Sequence, residues 1–249
     1  MINLVVDIGN SSTKIAVFDQ DNIILSDKAI DYCDQDLQKL KEKYQIENLI
    51  ISSVRKNIGL DEEYLKSNFN YIKFNHSVFI PIDNKYESPT TLGLDRLAAV
   101  IGANKIYPKQ KVLVIDAGTC ITYDGINEKA IYNGGSISPG INMRFEAMHH
   151  FTSKLPLVNF DSDYKSAYGK NTNEAMLSGV INGLIYELEG FIKQELNNNK
   201  ETKIILCGGD AAFFDSRFKN SIFAHLILHE PNLVLIGLNT VVNYQHDFK

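Results

Sequence analysis

The chain is expected to fold as an α/β protein of two related halves, each a mixed sheet flanked by helices. A repeated strand-and-turn segment, two successive strand triplets and the overall length carry that expectation. Residues Leu4-Val5-Val6-Asp7-Ile8-Gly9-Asn10-Ser11-Ser12-Thr13-Lys14 are echoed by Leu113-Val114-Ile115-Asp116-Ala117-Gly118-Thr119-Cys120-Ile121-Thr122-Tyr123; Asp, Gly and Thr recur at an offset of 109, which is 116 minus 7. Each copy reads as a buried strand running into a turn. Each also opens a run of three strands, and the first run continues into helix and strand, as an α/β unit with a mixed sheet begins. A length of 249 residues suits one large domain or two of about 100–150 residues, and the repeat offset favours two similar halves. The lysine-containing stretch Pro108-Lys109-Gln110-Lys111 marks the boundary, giving halves 1–110 and 111–249.

In order, residues 3–9 and 13–18 read as strands around the first turn, and Asp19-Gln20-Asp21-Asn22 as a hairpin loop before Ile23-Ile24-Leu25. Leu37, Leu40 and Tyr44 have helical spacing, and Leu49-Ile50-Ile51 reads as a buried strand. A short helix near 61–68, a strand near 78–82 and a helix over 90–107 ended by Pro108 follow. The second half starts with strands at 111–116, 120–124 and 130–132, then a glycine-rich loop at Gly134–Gly140 and a helix near 141–151. The longest helix covers 172–196, with Asn171 and Glu174 in capping-box spacing. A strand at 203–207 runs into Gly208-Gly209-Asp210, and a strand near 225–229 precedes a final helix near 232–243.

Composition sets the outer limits. With 44% hydrophobic and 22% charged residues the chain is ordinary for a globular protein, and a net charge of −5 argues against general nucleic-acid binding. Cys33, Cys120 and Cys207 offer neither a disulfide framework nor a zinc spacing. The N-terminus lacks a charged n-region and Asp7 interrupts its apolar run, so no signal peptide is expected. No membrane span is expected either, and the cytoplasm is the simplest location; Asn10-Ser11-Ser12 and Asn75-His76-Ser77 are then chance sequons.

The chemistry concentrates at the repeats. Asp7 could cap its own turn or, as a hard oxygen donor, hold Mg²⁺ near a phosphate; the second copy at Asp116 favours the functional reading. Neither a P-loop nor a G-x-G-x-x-G after a strand is present, so phosphate binding would rest on turns exposing N–H groups. Gly93-Leu94-Asp95-Arg96 enters a helix. Asp95 could answer the helix dipole or act as a general base kept ionised by its neighbour, while Arg96 would anchor an anion and Gly93 admit a ligand to the backbone. The 134–140 loop fits plain turn chemistry, a ligand wall or a close chain-chain contact, and Gly208-Gly209-Asp210 a surface for adenine or ribose or a plain turn. Gly179 and Gly183 suit close helix packing, within the chain or across a dimer. His149 and His150 read as packing or surface residues.

These elements resemble the phosphate motifs of the actin, sugar kinase and Hsp70 superfamily, whose members bind ATP between two RNase H-like halves. Within it the chain is similar to the type III pantothenate kinases over nearly its whole length. Asp7-Ile8-Gly9-Asn10-Ser11 resembles the first phosphate motif, Gly93-Leu94-Asp95-Arg96 the pantothenate motif and Asp116-Ala117-Gly118-Thr119 the second phosphate motif; Asn171-Thr172 with Gly179 also fits. The resemblance implies ATP-dependent phosphorylation of pantothenate, the first step towards coenzyme A. It implies ATP contacts from Asp7, Ile8, Gly9, Asn10, Ser11, Ser12, Thr13, Lys14 and Thr119, with Asp7 near Mg²⁺. Pantothenate would meet Tyr86, Gly93, Leu94, Asp95, Arg96 and Thr172, with Asp95 as proton acceptor. Asp116 would bind K⁺ or NH₄⁺, and Thr172 would reach the partner's site in a homodimer. A kinase for another small hydroxylated acid or sugar, a regulatory nucleotide-binding protein and an actin- or chaperone-like switch are the alternatives.

Overall fold

The computed structural model describes residues 1–10, 12–55 and 58–247. The chain packs as two compact units: one takes Met1–Lys109, Ile126–Asn133 and the segment from Asn232 onward, the other Gln110–Gly125 and Gly134–Pro231.

The first unit holds a five-stranded sheet of order β3-β2-β1-β4-β5, where β1 is Ile2–Ile8, β2 Thr13–Asp19, β3 Asn22–Ala29, β4 Asn48–Ser53 and β5 Asn70–Lys73. β1 is antiparallel to β2 and parallel to β4, so the sheet is mixed. Leu4, Val6, Ile8, Ile15 and Val17 pack with Leu37 of α1 (Asp34–Tyr44) and Leu65 of α2 (Glu62–Asn68). Val5 and Ala16, on the alternate face, are also fully buried. A strand buried on both faces reads as a continuous apolar run, which is how β1 is legible.

Helices α3 (Leu94–Ile106) and α7 (Leu233–Asp247) lie backbone to backbone. A Cβ at Gly237 would stand 1.8 Å from the Ala98 carbonyl oxygen, and one at Gly102 2.4 Å from that of Leu233. Asparagines tie α7 to the sheet: the Asn3 amide donates to Asn239 at 2.8 Å and Asn243 at 2.9 Å, and accepts from Asn48 at 2.9 Å. Asn3, Asn48 and Asn239 are all buried, so these bonds satisfy amides that would otherwise be stranded without water.

The second unit carries β7 (Val112–Ala117), β8 (Cys120–Ile126), β9 (Ile131–Pro139), β10 (Lys203–Cys207) and β11 (Ile227–His229), in the order β11-β10-β7-β8-β9. The first residues of β9, Ile131 and Tyr132, belong to the first unit and pair with β6 (Asp83–Asn84). Helices α4 (Ile141–Phe151), α5 (Thr172–Asn198) and α6 (Ala211–Phe218) complete the unit. Its core joins Leu113, Ile115 and Leu206 to Leu184, Leu188 and Ile192 of α5. α5 is long and apolar enough by composition to cross a membrane, a test that the core helix of a globular unit also passes.

Several expectations need correction. No strand forms at 78–82; it is flanked by β5, which pairs with β4 in parallel, and by the short β6, whereas Phe79 is largely exposed and Pro81 has no N–H for a ladder. Residues 134–139 are not a loop but the body of β9, with Gly140 the N-cap of α4, and the glycines serve close approach: a Cβ at Gly135 would stand 2.1 Å from the Tyr123 carbonyl oxygen. Helix α3 starts at Leu94, after a separate 3-10 turn at Pro89–Thr91. Helix α6 has no counterpart in the sequence reading.

Candidate active site

The first turn follows from the β1–β2 register. Asp7 pairs with Lys14 and Ile8 with Thr13, so the side-chain alternation of a strand puts Asp7 and Lys14 on one face and Ile8 and Thr13 on the other. Ile8 and Thr13 are each 2% exposed, and the Thr13 hydroxyl donates to the Ile30 carbonyl at 3.4 Å. Contributions from those two residues to a phosphate would therefore come from the backbone. Gly9 N–H donates to the Ser12 carbonyl at 3.0 Å, closing the four-residue connection 9–12. Asn10 is exposed and Ser12 half-buried; Ser11 lies outside the described residues.

A residue that the sequence reading missed holds this turn. Arg55 Nε donates to the Gly9 carbonyl at 2.8 Å and Nη2 to that of Asn10 at 3.2 Å, while Nη1 pairs with Asp31 at 2.7 Å. Parallel pairing of β4 with β1 brings it there, and Val54 N–H continues the ladder to the Ile8 carbonyl at 3.1 Å. The available signal was a cation just past the end of a buried strand, since parallel strands gather their carboxyl ends at ligand sites.

The second group in this unit surrounds the start of α3. Gly93 occupies the N-cap, and its carbonyl accepts from Leu97 N–H at 3.1 Å. Leu94 and Asp95 are half-buried. The Asp95 carboxylate accepts from Arg96 N–H at 2.8 Å, and a Cβ on Gly93 would stand 2.4 Å from that carboxylate's Oδ1. Glycine at 93 thus leaves the carboxylate its place. Arg96 is 5% exposed, with its guanidinium 5.8 Å from the centre of the Tyr86 ring. Tyr86 in turn stacks on Tyr132, 6.2 Å away and within 8° of parallel. The structure therefore joins Tyr86 to Arg96, a cation held over an aromatic face.

In the other unit, Asp116 is half-buried at the end of β7 and pairs with Cys207 of β10. Gly208 follows with φ of +98°, and a Cβ there would lie 2.2 Å from the Ala117 carbonyl oxygen and 2.4 Å from Asp116 Oδ1. Only glycine tolerates both the backbone and the space. Its neighbour Asp210 donates its N–H to the Ala117 carbonyl at 2.9 Å, and burial raises its carboxyl pKa above the ordinary value. The β7–β8 turn is tight: Gly118 N–H donates to the Cys120 carbonyl at 2.9 Å, and Gly140 N–H to that of exposed Thr119 at 3.0 Å. The repeats thus share their strand-end aspartates but not their connections, which run over 9–12 in one and 118–119 in the other.

Thr172 is exposed at the first position of α5. Asn171 caps that helix by accepting from Glu174 N–H at 3.0 Å, and Glu174 accepts from Lys170 N–H at 2.8 Å. Cβ atoms at Gly179 and Gly183 would meet nothing within 4 Å, so neither glycine serves close packing inside the chain. Further along α5, Glu187 accepts from Arg144 at 2.5 Å and Tyr123 at 2.8 Å. Burial pushes its carboxyl up, but bonds from Arg144, Tyr123 and Ser138 outweigh it, so the net shift is downward. Burial and the bond to Glu187 push the Tyr123 phenol up. His149 Nδ1 donates to the Leu155 carbonyl at 2.8 Å and His150 packs edge-on against Phe151, as packing and surface residues do.

Comparison with known proteins follows the same lines. The type III pantothenate kinase of Phocaeicola vulgatus is 40% identical over 244 residues, covering 98% of each chain. That of Flavobacterium johnsoniae is 39% identical over 252 residues, again covering 98% of each. Among solved structures, the activator of the 2-hydroxyisocaproyl-CoA dehydratase from Clostridium difficile matches with a TM-score of 0.56 at 12% identity, covering 100% of this chain and 98% of that one. A glucokinase from an Antarctic psychrotroph matches with a TM-score of 0.53 at 12% identity, covering 98% and 99%. These likenesses establish an actin-like ATPase fold. The family profile of the type III pantothenate kinases matches residues 3–194, and with the curated relatives it shows that the chain belongs to the type III pantothenate kinase family.

Proposed function

We propose that the protein transfers the γ-phosphoryl group of ATP to the hydroxyl of pantothenate, giving 4'-phosphopantothenate for coenzyme A synthesis, with Asp95 as general base. One observation carries the residue assignment. At the start of α3 a half-buried carboxylate is fixed by a backbone N–H beside a residue without a side chain, and the next residue presents a buried guanidinium over Tyr86. Such a set can orient a hydroxylated carboxylic acid: Arg96 suits its carboxylate, the half-buried Tyr86 its apolar part, and Asp95 its hydroxyl.

In the step itself, Asp95 accepts the hydroxyl proton as the hydroxyl oxygen bonds to the γ-phosphorus. The bond from that phosphorus to the β–γ bridging oxygen breaks, and ADP leaves. Positioning and charge stabilisation supply most of the catalysis in such transfers. Residues 7–14 and Thr119 would hold the phosphates. Asp7, a hard oxygen donor near the end of β1, would hold Mg²⁺ together with phosphate oxygens. Asp116 offers a hard oxygen beside a space that only Gly208 leaves clear, which fits K⁺ or NH₄⁺. Bound there, the cations would offset phosphate charge. The open face at Gly179 and Gly183 supports a homodimer in which Thr172 reaches the partner's site. We place the reaction in the cytoplasm, where ATP is available.

Asp95→Asn tests the base. The variant should fold and bind ATP normally, with kcat lower by about 10²–10⁴-fold, the scale of general base catalysis. Near-normal turnover would remove Asp95 from the role.

A further inference from the structure

We infer that Arg55 is a positioning residue for the first phosphate turn, itself held in place by Asp31. The inference rests on the reading of residues 7–14 as the ATP phosphate site and adds to it a part that does not touch the nucleotide. Arg55 spends two donors on consecutive turn carbonyls, Gly9 at 2.8 Å and Asn10 at 3.2 Å, and a third on Asp31 at 2.7 Å. Its own N–H donates to the Ser53 hydroxyl at 2.9 Å, and that hydroxyl donates back to the Arg55 carbonyl at 3.1 Å. The guanidinium is therefore fixed at both ends of its residue.

Peptide geometry turns that fixation into function. Every peptide bond described here is trans, so the carbonyl and the N–H of one peptide point in opposite directions. With the Gly9 carbonyl drawn onto Arg55, the Asn10 N–H of the same peptide faces away from it. The Gly9 N–H is already committed to Ser12, so the Asn10 N–H is the donor that this grip offers to a phosphate. A turn of four residues without such a brace would sample many conformations, and a nucleotide would have to order it on binding. Lysine can keep the charge but not the fork that reaches two carbonyls and a carboxylate together. Asp31 matters because it takes the third donor and sets the orientation of that fork.

The test is binding of a non-hydrolysable ATP analogue and of adenosine to Arg55→Ala, Arg55→Lys and Asp31→Asn, with thermal midpoints measured alongside. Arg55→Ala should weaken the triphosphate about tenfold and adenosine less than about twofold; Arg55→Lys and Asp31→Asn should fall between it and wild type. A purely structural role would instead lower the midpoint and weaken both ligands alike, or neither. A folded Arg55→Ala that binds the triphosphate as wild type does would overturn the inference. Failure of the parent reading looks different. Wild-type protein that binds ATP but releases no ADP with pantothenate would sink the substrate assignment while the Arg55 comparison stands; wild-type protein that binds no ATP would sink both.

Discussion

At Gly208 the requirement for glycine is doubly determined. The backbone sits at φ +98°, and an added methyl would fall against both the Ala117 carbonyl and the Asp116 carboxylate. Gly208→Ala should therefore cost about 1–3 kcal/mol in urea denaturation, the combined scale of left-handed strain and overpacking, and should blunt activation by K⁺. A variant as stable and as responsive as wild type would remove residue 208 from the support of Asp116. Candidate site residues stood out in the sequence where composition announced them: aspartates ending apolar runs, and a glycine before a carboxylate at a helix entry. Arg55 was not, because its partners are 45 and 46 residues away and only the β1–β4 pairing brings them together.

Elements carry these residues into place through contacts that the sequence pattern ranks poorly. Gly179 and Gly183 drew attention by their spacing, yet the glycines that pack helix on helix are Gly102 and Gly237. They lie on different helices, so no local repeat marks them. Gly237→Ala should cost about 1–3 kcal/mol and, by displacing the helix that bears Asp95, should also lower kcat; denaturation and steady-state rates check the pair. The glycine-rich stretch at 134–140 misled for a related reason. Glycine usually punctuates strands, but here it lets β9 lie against its neighbour's backbone. An ion pair between Arg144 and Glu187 adds to the apolar packing of α4 on α5. Glu187 has a folded pKa below its ordinary value, so its stabilising contribution is present above about pH 4.5 and fades as pH falls through the folded value. The gap in urea midpoint between wild type and Glu187→Gln should be widest near neutrality and close as the pH falls below the ordinary carboxylate range. A gap that widens on acidification would contradict the assignment.

For the whole molecule, the α/β class and the mixed sheets followed from apolar runs and their order. The path of the chain did not. α7 ends the sequence but packs in the unit built from the first 109 residues, held by Asn3 and by Gly237 against α3. A helical pattern says which face is apolar without naming the partner that covers it. The opening repeat likewise showed two strand-end aspartates and hid that their connections differ in length. The roles proposed for them differ as well, ATP phosphates for the connection after Asp7 and a monovalent cation for Asp116. The most direct test of the account is ADP release from ATP by the purified protein, with and without pantothenate and with and without K⁺. The account predicts release that requires pantothenate and rises with K⁺ or NH₄⁺. Release at the same rate without pantothenate, or none in its presence, would contradict it.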